Sequence, residues 1–398
     1  MTKPLDGIRI LDFSRVLAAP MATQILSDMG AEVIKVERPG KGDETRSFEP
    51  RVGDQSAYFF AFNRGKKSVT LDLKSDDDRH IVERLITEVD VVVENFVPGT
   101  MDRYELGWER LHELNERLIY VAASGFGQTG PERNRKGYDT VFQALSGVMH
   151  LTGEPESGPS KAGIPVADMT SGLWVAIAIL TGLVGRGTHG IGTFIDVAMM
   201  DVQTSLLALA AARTFALDED PARTGTAHLG RVPSAAFECR DGWVQISGSD
   251  QHWPLLCNVL GLDELARDAE LAENAGRVNR REEVTQALSE AISSWIRDEL
   301  VAALTEIGIP AGEVRSVKEA LNARQTQERG MVGTFEHPTV GRFSALRTPV
   351  KFHGYEDPTI SAPPLLGADN EEVLGAFKPV GAMHAGGAAE TAGAEGQA

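Results

Sequence analysis

Short apolar runs alternate with amphipathic stretches through the first half of the chain. Residues 8–13 have the length and composition of a buried strand. Residues 21–29 carry helical spacing and end at Gly30, a residue suited to the left-handed turn past a helix C-terminus. The strand pattern returns at 33–37, 69–73, 90–94 and 118–123, and 75–88 reads as an amphipathic helix. Strand, helix, strand in quick succession predicts an α/β fold: a parallel sheet with helices on its faces. Ligands of such sheets bind beyond the carboxyl ends of the strands. The loops there begin at Ser14, Arg38, Asn95 and Ser124.

The longest apolar run, 173–184, is too short to cross a bilayer and reads as a buried core helix. A strand is expected at 194–199 and an Ala/Leu helix at 201–217. The character then changes. Residues 218–233 look like a linker, 235–248 like a hairpin turning at Asp241-Gly242, and 252–260 and 280–306 like helices. This is a candidate small domain. Mixed character returns at 314–353, and the Ala/Gly/Glu-rich tail lacks periodicity, which predicts disorder.

The net charge of -18 disfavours nucleic acid and anionic membranes, whose phosphates would be repelled. Cys239 and Cys257 fit no zinc or disulfide spacing and are read as reduced. The N-terminal residues have no apolar signal-peptide core, which points to the cytoplasm. The loop after the first strand is not G-x-G-x-x-G, and no G-x-x-x-x-G-K-[ST], H-E-x-x-H or G-x-S-x-G is present. NAD enzymes, P-loop NTPases, zincins and α/β-hydrolases are therefore disfavoured, and no metal site is expected.

Two features remain. Arg38, Arg46, Arg64, Lys66, Lys67, Arg103, Arg133, Arg135 and Lys136 lie near strand ends. They suit one ligand bearing several phosphates, which arginine grips in bidentate fashion; ordinary solvated loop charges are the bland alternative. Asp168 stands just before the apolar helix, beside Thr170 and Ser171. It suits an N-cap, and equally a carboxylate nucleophile kept ionised by the helix N-terminus.

The chain resembles the class III CoA-transferases from about residue 5 to 374. The motifs are GAEVIKVERP at 30–39, NRGKKSVTLDL at 63–73, VENFVPG at 93–99 and GFGQTGP at 125–131. LTG at 151–153, GIPVAD at 163–168, GIPAG at 308–312, HPT at 337–339 and PPLLG at 363–367 follow. Each is weak alone; in this order and spacing they are specific.

The resemblance implies a Rossmann-like large domain built from both ends of the chain, 1–200 and 326–378. Linkers at 201–225 and 301–325 join it to a small α+β domain at 226–300, and 379–398 is a disordered tail. It implies an obligate, interlocked homodimer. It also implies that Asp168 attacks an acyl-CoA and carries CoA as an aspartyl thioester to a free carboxylic acid. Coenzyme A is then a substrate, with no permanently bound cofactor. Arg38, Asn95, Phe96, Arg103, Lys136 and Tyr138 would line the CoA site, together with the loop at Arg15 and Val16. Gly248 and Gln251 belong to the segment matching the loop that covers the site, here GSDQ rather than all glycine. Arg15 either pairs with the distal carboxylate of a dicarboxylic acid or contacts CoA or solvent.

Two rivals stand beside this reading. A 2-methylacyl-CoA racemase of the same superfamily has histidine where this chain has Tyr138, and tyrosine, with a pKa near 10, is a poor base for that step. A non-catalytic CoA-binding protein would have no reason to keep an aspartate at 168. The expected substrates are succinyl-CoA and a dicarboxylate.

Overall fold

Successive residues of the predicted strands pack to opposite sides of one sheet, as a two-residue repeat requires. Leu11, Ile34, Val69 and Val92 fill one face; Ile10, Val33, Val91, Val93 and Ile119 fill the other. The computed structural model describes residues 3–356 and 360–375. Within these the chain forms two units. The first takes the residues up to Phe142, Pro165–Leu206 and those from Gly330 onward; the second takes Gln143–Ile164 and Leu207–Arg329.

The sheet of the first unit contains β1 (Arg9–Asp12), β2 (Glu32–Glu37), β3 (Lys67–Thr70), β4 (Val91–Glu94), β5 (Ile119–Ser124) and β6 (Thr193–Ala198). All pairings are parallel, in the order β3-β2-β1-β4-β5-β6. The chain reverses its direction of travel across the sheet between β1 and β4, which opens a crevice beyond their carboxyl ends.

Three helices matter for the site: α1 (Ala18–Asp28), α2 (Ala57–Phe62) and α3 (Val166–His189). Ala19, Ala22 and Leu26 of α1 share a core with Val175, Ala176 and Ile179 of α3. A Cβ at Gly172 would stand 2.5 Å from the Ala18 carbonyl oxygen, so only glycine permits this crossing. It brings the start of α1, and the loop feeding it from β1, against the first turns of α3. The expectation of a buried core helix at 173–184 holds for one face, with Val175, Ala176 and Ile179 buried, and is corrected for the other. Leu173, Trp174, Ile177 and Val184 are exposed, because only one face of α3 meets α1 and the sheet.

The later segments do not extend the sheet. Val332–His337 and Gly341–Leu346 form a separate antiparallel hairpin, whose Phe335 packs on Phe59 and Phe60 of α2. The edge of β3 is covered instead by Asp369 and Asn370, which accept hydrogen bonds from the Ser68 and Thr70 N–H groups at 2.7 and 2.8 Å.

In the second unit Ser234–Cys239, Gly242–Ser247 and Ala311–Glu313 form an antiparallel sheet around Val244, Ile246, Trp253 and Leu288. Residues 301–325, expected to be a linker, carry most of the helix Arg297–Glu306 and the third strand; Leu304 and Ile309 are buried there. The helix expected at 280–306 is two, Arg281–Ile292 and Arg297–Glu306. They part where Trp295 and Arg297 turn to bond Arg240 and Asp241. The helix expected at 201–217 likewise breaks, into Met199–Ser205 and Ala208–Leu217, where the chain leaves the first unit. This replaces most of the linker expected at 201–225. Cys239 and Cys257 are free and buried. The expected tail at 379–398 lies outside the described residues.

Beneath the crevice lies a buried ionic network. The Asp12 carboxylate, at the end of β1, accepts from the Ser14 N–H at 2.9 Å, the Thr23 hydroxyl at 2.6 Å and the Lys66 ammonium at 3.1 Å. Lys35 pairs with Asp43 at 2.9 Å and donates to the Ser14 carbonyl at 2.7 Å. Asp12, Lys35, Asp43 and Lys66 are all buried. Burial would push the Asp12 carboxyl up, but Lys66 and Lys35 outweigh it and hold it below its ordinary value. Asp12→Ala leaves the buried Lys66 ammonium without its carboxylate. It should lower stability by about 3–5 kcal/mol in chemical denaturation, with part recovered when Lys66→Met is added; an Asp12→Ala midpoint equal to wild type would contradict this.

Candidate active site

A cavity of about 630 Å³ occupies the crevice. Its walls are the loops leaving four adjacent strands: Ser14 and Arg15 after β1, Arg38 and Lys41 after β2, Leu73 and Lys74 after β3, and Phe96 and Thr100 after β4. Among the described residues Arg38, Lys41 and Lys74 are exposed and have no carboxylate within ion-pair distance. The mouth of the cavity is thus basic in an acidic protein, which suits an extended, multiply charged anion.

The loop after β1 is held from both sides. The Asn95 side chain accepts from the Arg15 N–H at 2.9 Å and donates to the Arg15 carbonyl at 2.8 Å. The Val16 N–H points to the Asp43 carboxylate at 3.3 Å. Val16 takes a φ of 69°. This costs a branched residue roughly 1–3 kcal/mol and persists only where the surroundings enforce it. Arg15 lies over the Phe96 ring, 5.0 Å from its centroid, and pairs with Glu44. Phe96 is fixed in turn because its N–H donates to Glu94 at 2.7 Å. Burial, with smaller contributions from Asp102 and Asp196, pushes the Glu94 carboxyl up to about 7.

Asp168 stands in the first turn of α3. It is not the N-cap: that position is Pro165, which offers no side chain to the helix. The capping is done from a distance by Asp139, whose Oδ1 accepts from the Ala167 N–H at 2.8 Å and the Asp168 N–H at 3.4 Å. Burial, and then the charge of Asp139, push the Asp168 carboxyl up to about 7. The expectation of a carboxylate held firmly ionised by the helix N-terminus is corrected, because another carboxylate already occupies that terminus. Tyr58 on α2 connects this turn to the cavity. Its phenol is raised by burial and then by Asp168, Asp139 and Asp43, and its ring meets Phe48 on the cavity wall at 5.5 Å.

Comparison with known proteins decides the family. The profile of CoA-transferase family III matches residues 5–370. The chain belongs to CoA-transferase family III. Mouse (Mus musculus) succinyl-CoA:glutarate CoA-transferase is 39% identical over 374 residues, 94% of this chain and 86% of its own length. Acetyl-CoA:oxalate CoA-transferase of Acetobacter aceti is 39% identical over 357 residues, 89% of this chain and 90% of its own. The crystal structure of a CAIB/BAIF family protein from Brucella suis superposes with a TM-score of 0.86 at 38% identity, covering 95% of this chain and all of that one.

In this family III transferase the structure gathers Arg15, Arg38 and Phe96 on one cavity, with Asn95 and Val16 supporting its wall. Arg103 stands at its margin, donating to Thr100 at 2.9 Å. Lys136 and Tyr138 are exposed on the loop that leads to Asp139. Gly248 and Gln251 lie in the second unit, where the loop is pinned rather than free. Gly248 donates to the Pro233 carbonyl at 2.8 Å, and Asp250 pairs at 2.6 Å with the buried Arg277.

Sequence reasoning missed Leu71–Lys74, Tyr58 and Asp139. The first would have followed from the strand-end rule, but the third strand was drawn to residue 73 when it ends at Thr70. Asp139 and Tyr58 carry no local signal, because both act across long chain separations.

The raised Asp168 carboxyl has a consequence for stability. A proton bound more tightly in the folded state stabilises it fully below the ordinary value of 3.8, and that contribution is lost as pH rises through about 7. Asparagine cannot ionise. The melting temperature of Asp168→Asn relative to wild type should therefore be more favourable at about pH 8 than at about pH 5; a difference independent of pH would contradict it.

Proposed function

We propose that this enzyme moves CoA from succinyl-CoA to a free dicarboxylate, with Asp168 as the nucleophile that carries it. The observation behind the reading is a half-buried carboxylate on the first turn of α3, with no hydrogen-bond donor to its oxygens among the described residues. Gly172 packs this helix against the start of α1, which follows directly on the β1 loop of the basic cavity. A carboxyl near 7 is substantially ionised at neutral pH, and it is a stronger nucleophile than an ordinary aspartate because its anion is less stabilised.

An Asp168 oxygen attacks the thioester carbonyl, and the C–S bond breaks to give a mixed anhydride and CoA thiolate. The thiolate attacks the Asp168 carbonyl and releases the donor acid, leaving an aspartyl-CoA thioester. The acceptor carboxylate attacks that thioester, and the returning thiolate takes the acceptor acyl group and frees Asp168. Arg38, Lys41 and Lys74 supply positive charge for the phosphates of CoA, and Arg15 and Phe96 line the approach. The names of the two relatives, a glutarate and an oxalate enzyme, support a dicarboxylate acceptor. Glu44 holds Arg15 here, so a distal carboxylate that uses Arg15 must displace Glu44.

The second subunit has support from the outer face of α3. Trp174, Ile177 and Ile195 of β6 line a largely apolar groove of about 770 Å³, which a second copy would cover. Sedimentation of the wild type as a dimer, and of Ile177→Glu as a monomer or weakened dimer, would fit this; a monomeric wild type would sink it.

The activity itself is tested by mixing the protein with succinyl-CoA and a panel of free acids and following new thioesters by mass spectrometry. The expected result is a dicarboxylate thioester that vanishes in Asp168→Asn while CoA binding persists. No new thioester from any acid, with deuterium uptake beside the carbonyl of a 2-methylacyl-CoA, would overturn the proposal in favour of a racemase.

A further inference from the structure

We infer that Asp139 is a positioning residue for transfer: its carboxylate orients the backbone that carries Asp168 and at the same time opposes the charge on Asp168. The inference rests on the reading of Asp168 as the nucleophile.

The first N–H groups of a helix have no partner within the helix and need an acceptor. In α3 the residue that should provide one is Pro165, which has no side-chain acceptor. Asp139, 28 residues upstream of Ala167, takes the role. It receives the N–H groups of the second and third helical residues, the two that an ordinary N-cap side chain serves. One of these is the N–H of Asp168 itself. The acceptor that fixes the first turn therefore also sets the direction in which the Asp168 side chain leaves the backbone.

The same contact sets two like charges close together. Other charged groups on elements near α3 are engaged elsewhere. Asp28 of α1 pairs with Arg64 and accepts from Thr348. Asp196 of β6 accepts the Gln128 N–H, and Asp90 pairs with Arg186 at the far end of α3. Asp201, after β6, lines the apolar groove, and His189 lies in the last turn of the helix, also on that groove. Tyr58 of α2 faces Asp168 as a neutral phenol. Among the described residues Asp139 is the one charge that raises the Asp168 carboxyl beyond the effect of burial. A helix terminus alone would lower it, so here the capping acceptor turns a stabilising terminus into a repulsive one.

The chemistry benefits from both effects. A well-oriented carboxylate meets the thioester carbonyl without a conformational search. A carboxylate of higher basicity is the better nucleophile. When Asp168 becomes an anhydride or thioester its charge disappears, and the repulsion from Asp139 disappears with it. The covalent states are thereby favoured relative to the free carboxylate.

Asparagine at 139 keeps an oxygen that can accept the two N–H groups but removes the charge; alanine removes both. Transfer by the full chain would be followed from about pH 5 to 9 for wild type, Asp139→Asn and Asp139→Ala, and the Asp168 carboxyl would be titrated in each by carbon-13 NMR, assigned with Asp168→Asn. In Asp139→Asn the acid limb of kcat/KM and the carboxyl titration should both move down by about one pH unit, with turnover within a few-fold of wild type on the plateau. In Asp139→Ala plateau turnover should fall about ten-fold or more through lost orientation. An unmoved titration in Asp139→Asn, or an Asp139→Ala enzyme matching wild type across the range, would overturn the inference. Persistent transfer by Asp168→Asn would instead remove the nucleophile reading, while the NMR titration would still report the coupling between the two aspartates.

Discussion

The site depends on a buried set of charges that binds the ends of β1 and β2 to the chain around them. Asp12 holds the turn into the Arg15 loop, and Lys35 holds the same turn from below through the Ser14 carbonyl while gripping Asp43. Asp43 receives the Val16 N–H, and Glu37 binds Asp43 through its N–H and Arg46 through its guanidinium. Desolvating these ions costs several kcal/mol each, recovered only where every partner is well placed. Such a network has one good geometry, which is why it can hold Val16 in a conformation a valine otherwise avoids. The cavity wall is thus held in one geometry, and among the described residues the exposed Arg38, Lys41 and Lys74 stand there without a carboxylate partner.

A second constraint is steric. Gly172 lets α3 cross the start of α1 at backbone distance, so the turn bearing Asp168 sits beside the loop leaving β1. A carboxylate more than a hundred residues away in sequence is thereby placed by one missing side chain. The electrostatics around it work against stability. Burial and Asp139 disfavour the ionised carboxyl, a cost that stability alone would not select.

Much of the first unit was legible because its signals are local. The parallel sheet follows from apolar runs in alternation with amphipathic helices, and the ligand-bearing loops follow from the strand ends. Arg38 was found this way, whereas Arg15 and Phe96 came from the motif resemblance. The misreadings share a physical origin. The break at Trp295 comes from tertiary contacts, and neither it nor the break at Leu206 has a glycine or proline to mark it. The exposed face of α3 carries Leu173, Trp174, Ile177 and Val184 and is as apolar as the buried one, so apolar content alone could not tell core from surface. Asp168 resembled an N-cap because the true acceptor, Asp139, lies 29 residues earlier, beyond the reach of any local pattern.

The account stands on Asp168 becoming covalently attached to CoA. The direct measurement is acid quenching of the enzyme during turnover with succinyl-CoA, followed by proteolysis and peptide mass mapping. A CoA adduct formed with loss of water, confined to the peptide containing Asp168 and discharged by an acceptor acid, is the predicted result. Continued transfer with no adduct there, or with the adduct on another residue, would contradict it.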